Sequence, residues 1–101
     1  MKTINNKVTS IRFSDVPKDK PIDFKFLISM VLQDSIPKEG LIIKEQRKIF
    51  RVLDALDAEK NGKIVFEDAD FEYMKDKVEK YGFRFTHRDL DKLLKEIEEA
   101  K

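Results

Sequence analysis

The stretch Asp57-Ala-Glu-Lys-Asn-Gly-Lys-Ile-Val-Phe-Glu-Asp68 follows an amphipathic segment and matches part of a calcium-binding loop. Such a loop presents oxygen ligands at positions 1, 3, 5, 7, 9 and 12 around a glycine at position 6 that makes the sharp turn. Asp57 fits position 1, Asn61 position 5 and Gly62 position 6, and Ile64 stands where an apolar residue pairs with a neighbouring loop. The ligand set then weakens. Glu59 is longer than the usual position-3 ligand, Val65 offers no oxygen at position 9, and Asp68 is short for a bidentate role at position 12. Asp57, Glu59, Asn61 and Asp68 are thus calcium candidates of a degenerate EF-hand-like module, and the leading expectation is no metal and no cofactor. Ser35 to Gln46 shares the frame, with Gly40 and Ile42 at the positions of Gly62 and Ile64. It lacks side-chain oxygens and is separated from the second loop by a single helix, so the repeat reads as two similar loop-into-helix joints.

Other chemistry has little to stand on. The single histidine, His87, falls at the expected start of the last helix, with no nucleophile or second ligand at a recognisable spacing. Three glycines form no phosphate-cradling loop. Ser10, Ser14, Ser29 and Ser35 have no base placed beside them by sequence. Acidic pairs such as Asp68/Asp70 and Glu98/Glu99 suit helix ends and surfaces. The reading is a protein that is not an enzyme.

The elements that would position these residues belong to one domain, 1–101, with 41% apolar and 41% charged residues. No apolar run is long enough for a membrane span, and no cysteine is present for thiolate or disulfide chemistry. Residues 1–50 carry ten Lys/Arg against six Asp/Glu, and residues 51–101 eleven against fourteen, so the halves differ in sign. That imbalance is too mild for nucleic acid and suits a charged partner or head-to-tail self-association.

Alternation of Thr9, Ile11 and Phe13 predicts a strand over 7–13, ended by the Pro and Asp residues of 14–21. Segment 22–32 reads as a buried helix, although its alternate residues also fit a strand. A helix from Ile43 to Leu56 or slightly beyond has Ile49, Phe50, Leu53 and Leu56 as its apolar stripe. Asn61-Gly62 turns the chain into a short strand, Lys63–Phe66, and acidic residues then open a helix that buries Phe71, Met74, Val78 and Tyr81. Gly82 ends it, Phe83 and Phe85 flank a brief extended segment, and Thr86-His-Arg-Asp89 resembles a capping box before a Leu90, Leu93, Leu94, Ile97 helix. The fold class is α+β, predominantly helical, with about four helices and one to three short strands.

Tyr73 lies off its helix stripe, and Phe83 with Phe85 falls in a loop. These three, with the acidic residues Asp68 and Asp70, are the expected contacts to a protein partner. Glu45-Gln-Arg-Lys-Ile-Phe-Arg-Val-Leu-Asp-Ala-Leu-Asp57 and Gly62-Lys-Ile-Val-Phe-Glu-Asp-Ala-Asp-Phe-Glu-Tyr-Met-Lys75 resemble small proteins of tailed bacteriophages encoded among virion structure and assembly genes. The resemblance covers residues 41–80 best. It implies a strand near the N-terminus, an assembly accessory or minor virion protein, and a place in the bacterial host cytoplasm or the virion. A phage-encoded inhibitor of a host protein shares the same features.

Overall fold

Ile4 and Ile64, both fully buried, face each other across a two-stranded antiparallel ladder, and the helices pack around that pair. The computed structural model describes Met1–Lys101, with strands β1 (Lys2–Asn5) and β2 (Lys63–Phe66) and helices α1 (Phe24–Asp34), α2 (Ile43–Asp57), α3 (Asp68–Lys80) and α4 (Arg88–Glu98). This is an α+β fold dominated by helix. One cluster of 18 buried apolar side chains joins ladder and helices, so there is one core. The Cα radius of gyration is 13.3 Å, close to the ~13 Å of a compact chain of this length. No helix is long and apolar enough to cross a membrane.

The helical alternative holds for segment 22–32. Asp23 caps α1, its Oδ1 accepting from the Phe26 N–H at 2.8 Å, and Phe24, Leu27, Ile28, Val31 and Leu32 form the buried face. In α2 the buried residues are Ile49, Val52 and Leu56. Phe50, expected in that stripe, is instead 52% exposed. It lies about 100° round the helix from Ile49, which carries it past the edge of the buried face.

The strand expected over 7–13 does not form. Val8 bridges to Asp23, the Thr9 N–H donates to the Ile22 carbonyl at 2.8 Å, and the Phe24 N–H donates to the Lys7 carbonyl at 3.0 Å. The start of α1 then turns the neighbouring backbone away, and no ladder follows. The alternation still reports burial: Thr9 and Ile11 are buried and Phe13 half-buried. The ladder strand is Lys2–Asn5, which pairs Lys2 with Phe66 and Asn5 with Lys63.

Asn61 (φ 55°) and Gly62 (φ 75°) both take the left-handed backbone that turns α2 into β2, and the Asn6 N–H donates to the Gly62 carbonyl at 2.7 Å. Phe71, Met74 and Val78 are the buried residues of α3, while Tyr81 is half-buried beyond its end. The segment around Phe83 and Phe85 bends and forms no strand. The capping residue of α4 is His87, one place after Thr86: its Nδ1 accepts from the Asp89 N–H at 3.1 Å. An imidazole reaches that amide as a short Ser or Thr side chain does, which displaces the expected box by one residue.

Candidate interaction surface

The residues of the calcium frame are drawn in different directions. Glu59 Oε2 accepts from Asn6 Nδ2 at 2.6 Å and its Oε1 stands 3.4 Å from Lys25 Nζ. Asp68 Oδ1 lies 2.9 Å from the N-terminal amine, whose hydrogen bond and charge hold the carboxyl below the usual range. Asn61 serves the turn, and Asp57 is exposed at the end of α2. No group of three His, Cys, Asp or Glu side chains converges as a metal site. The frame has an architectural role: β1 supplies to Ile64 the strand pairing that a second loop would supply.

Folding does bring one sequence-distant set together. Ser10 Oγ is 3.2 Å from His87 Nε2, and Asp89 Oδ2 accepts from the Ser10 N–H at 2.9 Å and lies 3.3 Å from its hydroxyl. The residue types are those of a hydrolytic triad, but the proton placement is reversed. Because His87 Nδ1 accepts the Asp89 N–H, the neutral ring carries its proton on Nε2 and presents an N–H to Ser10. A general base needs a lone pair there. The group instead staples the 7–13 segment to the start of α4, and the Ser10 N–H is the main cause holding the Asp89 carboxyl below its ordinary value. Sequence reasoning missed it because 77 residues separate Ser10 from His87.

The expected interaction residues all have partners within the chain. Phe83 and Phe85 belong to a string of rings, with centroids 4.7 Å apart for Tyr81–Phe83, 6.0 Å for Phe83–Phe85, 5.7 Å for Phe85–Phe13 and 6.1 Å for Phe13–Phe26. The first three contacts are edge-on and the last, to Phe26 of α1, is stacked; both geometries are favourable, and together they fasten two loops to α1. The Tyr81 hydroxyl ends the string by donating to Asp34; this bond first, then burial, raises its pKa. Tyr73 is half-buried between Lys48 and Lys77, whose ammonium groups stand 5.9 and 5.4 Å from its ring centroid. Asp70 pairs with Arg51 Nε at 3.1 Å.

The unpartnered apolar surface lies elsewhere, at the start of α2. Ile42 and Ile43 are 68% and 70% exposed, and Phe50, two turns on, continues that face. Ile36 and Leu41 extend it into a cavity of about 250 Å³ between α2 and the end of α1. Lys38, Glu39, Lys44 and Arg47 are exposed in the same stretch of chain, three basic residues against one acidic, and none of the four makes an ion pair. Three local choices here oppose helix stability, set against Glu45, whose negative charge in the first turn favours it. Ile42 occupies the N-cap with no side-chain hydrogen bond, Ile43 exposes a large apolar group in the first turn, and Lys44 puts a cation where the helix dipole favours an anion. The signal was present in the run Leu41-Ile-Ile-Lys44, apolar residues entering a helix without a capping residue.

A second apolar concavity, about 240 Å³, lies between α3 and α4, lined by Val78, Tyr81, Phe83, Leu90 and Leu94. Its charged lining residues are Glu79 and Asp91. The largest cavity, about 570 Å³, is an open cleft between the start of α1 and the end of α2, lined by residues such as Lys20, Lys25, Phe26 and Leu53. Asp23 and Asp57 also line it, and neither makes an ion pair with Lys20 or Lys25.

No family model matches the chain, and neither a curated protein nor a solved structure matches it.

Proposed function

We propose that this chain is a non-enzymatic protein–protein interaction module, acting as a phage assembly accessory or minor virion protein. The observation that carries the reading is the start of α2, where Ile42, Ile43 and Phe50 stand in solvent at a helix end built against its own stability. Rules of local structure are broken where a site is kept for something else. Ile42 sharpens the point by comparison with Ile64, which occupies the same position in the parallel frame and is sealed at 0% exposure by β1. Ile42 has no such cover.

Support for the phage setting comes from the resemblance over residues 41–80, a stretch that contains most of this patch. The test is affinity purification from phage-producing cells, with the wild-type chain and Ile43→Glu in parallel, followed by mass spectrometry of partners and probing of purified particles. Capture of a virion or assembly protein by the wild type and its loss in Ile43→Glu is the expected result. Absence of the chain from particles and assembly intermediates, with no captured partner, contradicts the reading.

A further inference from the structure

One apolar patch on this chain projects and another is concave, and the charged residues beside them differ mainly in sign. The start of α2 projects Ile42 and Ile43 beside exposed Lys44 and Arg47 on the same helix, with Lys38 and Glu39 in the loop before it. The α3–α4 groove is concave, floored by Val78, Leu90 and Leu94, and edged by Glu79 and Asp91. At about 240 Å³ it falls below the roughly 300–1,000 Å³ of small-molecule pockets and suits inserted side chains. Glu79 makes no ion pair, and Asp91 has only an exposed partner, Lys95, at 3.3 Å.

Both patches lie at one end of the bundle. Tyr81, beside the groove, bonds to Asp34 at the end of α1, and the 35–42 connection leads from there directly into α2. α3 stands between the patches, with Tyr73 and Asp70 on its α2 side and Glu79 facing α4.

We propose that a second copy of this chain covers both patches, Ile42 and Ile43 of each protomer entering the α3–α4 groove of the other. The contact is made twice in a symmetric dimer. It brings Lys44 and Arg47 of one protomer to Glu79 and Asp91 of its partner, and it gives Ile42 the cover that β1 gives Ile64. This inference rests on the interaction-module reading and names the partner. Each contact involves few side chains, which places the dimer among small, weak interfaces with a Kd on the order of 100 µM.

Sedimentation velocity from about 10 µM to 1 mM brackets that affinity. The wild type is expected to shift from monomer to dimer across the range. Ile43→Glu, the pair Lys44→Glu with Arg47→Glu, and the pair Glu79→Lys with Asp91→Lys are each expected to remain monomeric. All five positions are exposed, so circular dichroism is expected to show the fold kept in every variant. The chain carrying both charge-reversed pairs is expected to recover dimerisation at least tenfold over either pair alone. A wild type that stays monomeric throughout overturns the proposal, as does a combined variant that associates no better than its parents. A monomeric wild type that still captures a virion protein through Ile43 separates failure of this inference from failure of the broader reading.

Discussion

Replacing Ile42 by serine and by alanine isolates what the start of α2 gives up. Ile42 already has the extended backbone of an N-cap (φ −66°, ψ 155°), so a serine there needs no rearrangement to accept an amide proton of the first turn. Glu45 stands at the third helical position, where it completes a capping box by leaving its exposed partner Lys48, 3.1 Å away. Ile42→Ser and Ile42→Ala forfeit the same contacts of a side chain that is 68% exposed. The difference between them is therefore the cap, about 1 kcal/mol. For a domain of this size that corresponds to roughly 4–8 °C in Tm. The assay is thermal unfolding followed by circular dichroism, with the dilute protein kept monomeric so that association does not enter. The Ser variant is expected to melt above the Ala variant by that amount. Coincident melting curves refute the claim that this helix end is uncapped and built against its own stability.

Truncating Ile4, which seals the ladder against Ile64, is expected to cost about 2–5 kcal/mol in urea unfolding, and a cost below about 1 kcal/mol contradicts its burial at the strand pair. Asp89 has a folded-state pKa below its ordinary 3.8, first because of the Ser10 N–H. The stability it contributes is complete above that value and lost as pH falls through the lower folded value, so Asp89→Asn is expected to flatten the acid limb of Tm against pH. Tyr81 is raised first by its bond to Asp34 and Tyr73 first by burial, so phenolate absorbance is expected to show both ionising above 10. Their contribution is present below 10 and fades as pH rises through the folded values, and Tyr81→Phe leaves one transition. Calcium at millimolar concentration is expected to give neither binding heat nor a Tm shift, because Glu59 is engaged by Asn6 and Lys25; a saturable heat refutes that.

Much of the fold was legible from local pattern. The extent of α2, the Asn61-Gly62 turn, β2 and the acidic opening of α3 follow from periodicity, left-handed turn residues and charge at a helix end, whereas periodicity left segment 22–32 between helix and strand and α1 runs two residues later, Phe24–Asp34. What depends on pairing across the chain was not. Alternation at Thr9, Ile11 and Phe13 reports burial of one face, whereas a strand also requires a neighbour, and β2 takes Lys2–Asn5 instead. Phe83 and Phe85 looked hard to bury alone, and they are half-buried against Tyr81 and the sequence-remote Phe13. The Ser10–His87–Asp89 staple was hidden for the same reason. Ile42 and Ile43 were readable all along as an uncapped apolar helix start, a signal visible only when capping is weighed together with exposure.

The central claim is that the start of α2 is a protein-binding surface. Its most direct test is photo-crosslinking in producing cells from a reactive residue placed at position 43, with position 60, exposed in the turn that follows the other end of α2, as control. A discrete protein adduct from position 43 and none from position 60 is the expected result. No adduct from position 43, or equal adducts from both positions, contradicts the account.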